Sequence, residues 1–144
     1  MARLTTNWNL PTDPADLLGS SGSAVTLGTS YTPLATSSGV DMDGDKYIVL
    51  YVYCSALGGA GRLDLQLEVS EELAGDYVPV QTESVSSGVS TQSDYEIQKA
   101  VTGTGAALLV SIPTRGIRFW RIKMKADAGT PAVYVRYSGS GGPV

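Results

Sequence analysis

The chain has no histidine in its 144 residues and a single cysteine, Cys54. The first absence removes Ser-His-Asp and Cys-His catalysis, and with them the commonest zinc ligand. The second excludes an intrachain disulfide framework, so nothing points to an oxidising compartment. No apolar run approaches the roughly 20 residues that span a bilayer. Residues 1–11 contain no apolar core of a secretory signal. A nucleophile elbow, a P-loop and a dinucleotide-binding glycine fingerprint are missing too. These absences lead to the expectation of a protein made and kept, or assembled, in a cytoplasm, with no membrane partner and no cofactor.

What is present is turn residues and short strands. Seventeen glycines, seven prolines and 42% hydrophobic residues fit one domain with many turns and a core of its own. The segment Arg62–Ser70 alternates polar and apolar over nine residues. A period of two puts Leu63, Leu65, Leu67 and Val69 on one face and Arg62, Asp64, Gln66 and Glu68 on the other. Strands are expected near 24–27, 30–36, 46–54, 62–70, 76–81, 90–100, 106–112, 116–126 and 131–138. Short Gly- and Pro-containing turns separate several of them at hairpin distance: 58–61, 71–75, 103–105, 113–116 and 127–130. No segment sustains a 3.6-residue period. About eight strands with such turns predict an all-β fold: an antiparallel β-sandwich, a jelly roll or a partly closed barrel.

The domain is expected over residues 24–138, between an extended N-terminal arm (1–23) and a flexible tail (139–144). Within the arm, residues 13–18 suit one helical turn, with Asp13 as cap and Pro14 at the first position. Trp8 and Leu10 give the arm apolar weight, so it either closes its own domain or packs on a neighbour. The core should hold Ile48, Leu50, Val52, Leu63, Leu65, Leu67, Val69, Leu108, Val110, Trp120, Ile122 and Met124.

Two strands carry the candidate interface. Residues 46–54 are apolar on both faces, with Ile48, Leu50, Val52 and Cys54 as one stripe and Tyr47, Val49, Tyr51 and Tyr53 as the other. The tyrosine stripe suits an interface, or else lies beneath the arm or a loop. On 116–126, Arg121, Lys123 and Lys125 form a basic outer row. The net charge of −4 is unevenly spread: −3 over residues 1–60, −6 over 61–100 and +5 over 101–144. The acidic middle and basic end can pair within one sheet or between subunits. An acidic protein does not suit general nucleic-acid binding.

Chemistry is otherwise thin. Asp41, Asp43 and Asp45 alternate as calcium ligands do, yet Lys46 and Val52 stand where an EF-hand needs Gly and Glu. A turn around Gly44 is the better reading. Pairs among Asp64, Glu68, Glu71, Glu72 and Asp76 allow glycosidase chemistry only formally, and no enzymatic activity is expected. Tyr31, Tyr77, Tyr95, Tyr134 and Tyr137 are candidates for stacking sugars, a role that competes with filling cores and interfaces.

Residues 63–72 with the Gly75-Asp76-Tyr77 turn resemble a hairpin of small virion structural proteins of tailed bacteriophages, and residues 117–126 followed by 132–137 resemble the closing hairpin of the same proteins. The resemblance spans about 40–138. It implies a non-enzymatic structural protein of the virion, most naturally a capsid decoration (cement) protein stabilising the head shell. Its partners would be the major capsid protein or other virion proteins, and its own copies, a trimer being favoured by local threefold positions of a shell. Alternatives are a tail, baseplate or head-completion component, or a carbohydrate-binding host-adsorption module.

Overall fold

A computed structural model describes residues 14–31, 36–42, 47–105, 107–113 and 117–140. Among them there is no helix, and the strands form two five-stranded antiparallel sheets and a separate two-stranded ribbon. The strands are β1 (Ala15–Leu18), β2 (Val25–Thr26), β3 (Val40–Asp41), β4 (Tyr47–Ala56), β5 (Arg62–Ser70) and β6 (Val78–Pro79). They continue with β7 (Gln81–Ser86), β8 (Val89–Asp94), β9 (Glu96–Ala100), β10 (Ala107–Pro113), β11 (Phe119–Ala126) and β12 (Ala132–Ser140). The first sheet runs β1-β12-β4-β10, with β2 also on β12. The second runs β3-β11-β5-β6, with β9 also on β5.

The expected all-β sandwich is the fold observed. The nine-residue alternation of β5 and the run from Tyr47 both form strands because their apolar stripes face each other across the two sheets. Ile48, Leu50, Val52 and Cys54 of β4 and Val133 and Val135 of β12 meet Leu63, Leu65 and Leu67 of β5 and Trp120, Ile122 and Met124 of β11. Burying each large aliphatic contributes about 1.5–3 kcal/mol. Of the expected core, Val69 and Leu108 are only partly buried and pack at its margin.

Short turns mislead about connectivity. The turn at 57–61 carries the chain from β4 in the first sheet to β5 in the second. The segments between β9 and β10, β10 and β11, and β11 and β12 also cross from one sheet to the other. Only 71–77, of the five turns, joins strands that pair, β5 with β6. The others are arches, because each strand's apolar stripe must face the opposite layer. Two arches stack at one end, where Thr130 N donates to Gly58 O at 3.1 Å. Gly58 and Gly129 both have positive φ, 57° and 71°, and a side chain on either would run into the other arch's backbone.

Twelve strands replace the expected eight. The chain over 76–81 divides at Val80, and that over 90–100 divides at Tyr95. At those points it leaves β5 to form the β7–β8 ribbon and then returns, with Val80 N donating to Leu67 O and Tyr95 N to Val80 O. A two-residue turn at Ser87 and Gly88, φ 51° and 76°, closes the ribbon, matching the mirror-image turns that suit twisted hairpins. Every ribbon residue is exposed.

The arm also differs in part. Residues 15–18 form β1 instead of a helical turn, because Ala15 and Asp16 pair with Tyr137 and Arg136 of β12, and Leu18 is buried. Strand β12 itself continues to Ser140. Of the strand expected over 30–36, Thr36 makes a single bridge to Lys123, and 32–35 lie outside the described residues.

Candidate functional site

The outer faces of the two sheets are chemically unlike. On the second sheet the polar face of β5 is covered. Asp64 is 1% exposed, Gln66 5% and Glu68 2%. The cover is cationic and comes from the neighbouring strand. In register, Arg121 lies opposite Glu68, Lys123 opposite Gln66 and Lys125 opposite Asp64. Arg121 Nε donates to Glu68 Oε1 at 2.6 Å, and Lys123 Nζ lies 3.2 Å from Oε2. Lys125 reaches Glu96 at 3.7 Å, and Arg62 grips Asp64 through Nε and Nη2 at 2.7 and 3.1 Å.

Two tyrosines complete this layer. The Tyr77 ring lies 4.5 Å from the Arg121 guanidinium, and the Tyr31 ring 4.8 Å from Lys125 Nζ. Burial, then the adjacent Glu96 carboxylate, push the Tyr31 phenol above its ordinary range. The basic row of Arg121, Lys123 and Lys125 is thus engaged within its own sheet, the intramolecular alternative of the charge pattern.

The first sheet presents the other candidates. Tyr47, Val49, Tyr51 and Tyr53 share the outer face of β4, as their spacing requires, with Tyr47 43% exposed. Trp8 and Leu10 lie outside the described residues. Alongside, β10 places Leu109 opposite Tyr51 and Ser111 opposite Val49, and Leu109 is 57% exposed. Sequence reasoning passed over Leu109, although the alternation that buries Val110 and Ile112 turns it outward. Neither β4 nor β10 contains a charged residue.

Toward β1 this face turns polar. Tyr53 and Tyr134 stack with ring centroids 4.7 Å apart and planes 11° from parallel. Next to them Arg136 Nε lies 3.2 Å from Asp16 Oδ1, and its Nη2 donates to Pro14 O. An open hollow of about 460 Å³ is lined there by Asp16, Ser20, Ser21, Tyr53, Tyr134 and Arg136.

Other candidates fall away. Asp41 is engaged by Arg118 at 2.8 and 3.3 Å, while Asp43 and Asp45 lie outside the described residues. Among the described residues no group of three or more His, Cys, Asp or Glu side chains stands together as a metal site. Cys54 is buried, and burial raises its thiol pKa, the environment of an unreactive cysteine. No described helix is long and apolar enough to cross a membrane.

No family model matches the chain, and no curated protein matches it. Among solved structures it is similar to tripeptidyl peptidase 2 (TPP II), with a TM-score of 0.49 and 9% identity. That match covers 88% of this chain and spans 10% of the other. A likeness at that level carries no argument about what the chain does.

Proposed function

We propose that the chain is a non-enzymatic structural protein that works by associating with other proteins, as a component of a bacteriophage virion, most naturally a decoration protein of the head shell. The observation that carries the reading is the contrast between the two outer faces. One is sealed by its own ion pairs. The other joins the tyrosine stripe of β4 to Leu109 of β10 across two strands that carry no charge, with the Arg136–Asp16 pair flanking them on β12 and β1, the composition of an aromatic interface centre with a polar rim. The resemblance of the segments 63–80 and 117–137 to phage virion proteins supplies the address, although β11 and β12 lie in different sheets and do not pair. The mechanism is mass action, since each copy bound only to assembled shell adds its binding free energy to that state.

The test is mass spectrometry of gradient-purified particles from cells that carry the gene, alongside co-sedimentation of the purified chain with shells. The chain should be present in fixed ratio to the major capsid protein, and Tyr51→Glu should weaken its binding. Absence from particles together with no affinity for shells would reject the reading. A sugar-binding role is the alternative favoured by a specific observation, the Tyr53–Tyr134 stack beside the Asp16–Arg136 pair. Glycan-array binding abolished by Tyr134→Ala, without shell binding, would establish it instead.

A further inference from the structure

Edge strands are where sheet proteins invite unwanted pairing, and this chain guards nearly all of its own. In the two sheets, β2, β3 and β6 are two residues long, and β6 ends in Pro79. Strand β1 carries Asp16 and a register break before Leu18. Strand β9 carries Glu96 and Lys99. Short length, charge, proline and bulges are the usual protections. Strand β10 has seven residues, reads Ala-Leu-Leu-Val-Ser-Ile-Pro, and its one such feature is the closing Pro113. No charged residue occurs from Ala100 to Pro113. It pairs with β4 along its whole length and, among the described residues, has no partner on its other side.

We infer that this edge is completed by β10 of a second copy, antiparallel across a two-fold axis, so that the first sheets of two molecules become one. The inference deepens the association reading above and rests on it only in using the same sheet. Three features select a second copy. Antiparallel pairing of a strand with itself is the arrangement an isologous dimer requires. An uncharged strand meets its own copy with no like-charge cost. Centred on Val110, the pairing sets Leu108 opposite Ile112 and Val110 opposite itself, so core-side aliphatics meet core-side aliphatics. That side borders a narrow crevice lined by Ile97, Leu108, Val110 and Met124, with Lys99 beside them. The exposed Leu109 and half-buried Tyr51 would extend the contact on the outer face.

The pairing replaces the threefold expectation for the free protein, because a two-fold contact uses each β10 edge once. The experiment is sedimentation velocity of the full chain at micromolar concentration, with hydrogen exchange read over residues 107–113. Wild type should be a dimer, and its β10 amides should gain protection as concentration rises. Leu109→Lys and Leu109→Glu should each be monomeric with unchanged circular dichroism, and an equimolar mixture should recover dimers. Should either substitution impair folding, Ser111→Lys and the concentration dependence of exchange serve in its place. A monomeric or trimeric wild type overturns the pairing, as does a dimer that persists in the charged variants. Co-sedimentation with particles is measured separately, so the pairing and the particle reading fail independently.

Discussion

Glu68 of β5 holds two cations of β11 at once, with Arg121 on one carboxylate oxygen at 2.6 Å and Lys123 on the other at 3.2 Å. The acid is buried, while the two cations are each more than a quarter exposed. The arrangement is asymmetric, since removing the acid strands two charges and removing one cation leaves the other in place. Glu68→Ala should therefore cost about 1–3 kcal/mol. Arg121→Ala and Lys123→Ala should each cost about 1 kcal/mol or less, screened by solvent. Urea unfolding of the three variants checks this, and a Glu68→Ala protein as stable as wild type would refute it.

Leu65 stands in the middle of β5, 3% exposed and opposite Met124. Leu65→Ala should lose about 2–5 kcal/mol through lost burial and the cavity left behind. The denaturation midpoint should fall without a change in slope.

The stacked arches give a backbone prediction. Gly129 combines positive φ with the closest approach of the Gly58 carbonyl. Gly129→Ala should cost about 1–3 kcal/mol from conformation alone, while alanine at the open Gly103 should be nearly neutral. Equal effects at the two positions, measured by thermal unfolding, would contradict the account.

Acid should loosen the same end of the molecule. Asp127 accepts from the backbone N–H groups of Gly61 and Arg62, both at 3.0 Å, and these bonds hold its carboxyl below the usual range. Folding thus lowers this pKa. The contribution is complete above the unfolded value of about 4 and is lost as pH falls through the lower folded value. Asp127→Asn should flatten the fall of melting temperature in that acid window. An unchanged acid limb would show that the carboxylate does not matter.

The ribbon buries nothing on itself, and a lone two-stranded hairpin is marginal in water. Joining Gln81 to Asp94 through a short turn in place of 82–93 should leave the sandwich within about 0.5 kcal/mol of the full chain, as for surface changes away from special features. The calorimetric transition checks it, and collapse of the fold would show that the ribbon supports the core.

Alternation alone determined much of this protein. Arg62–Ser70 is a strand with the bounds its pattern predicts, and Leu63, Leu65, Leu67, Trp120, Ile122 and Met124 are the core their spacing assigns. The tyrosine stripe of β4 was legible for the same reason, because side-chain direction in a strand follows from counting by two. Tertiary structure decided what each face meets. Period two cannot say that Glu68 and Gln66 lie beneath Arg121 and Lys123, since cover comes from a strand more than fifty residues away. Nor does a short glycine turn tell a hairpin from an arch. That choice belongs to the opposite layer, which offers the apolar stripe its partner and thereby leaves β10 at an edge.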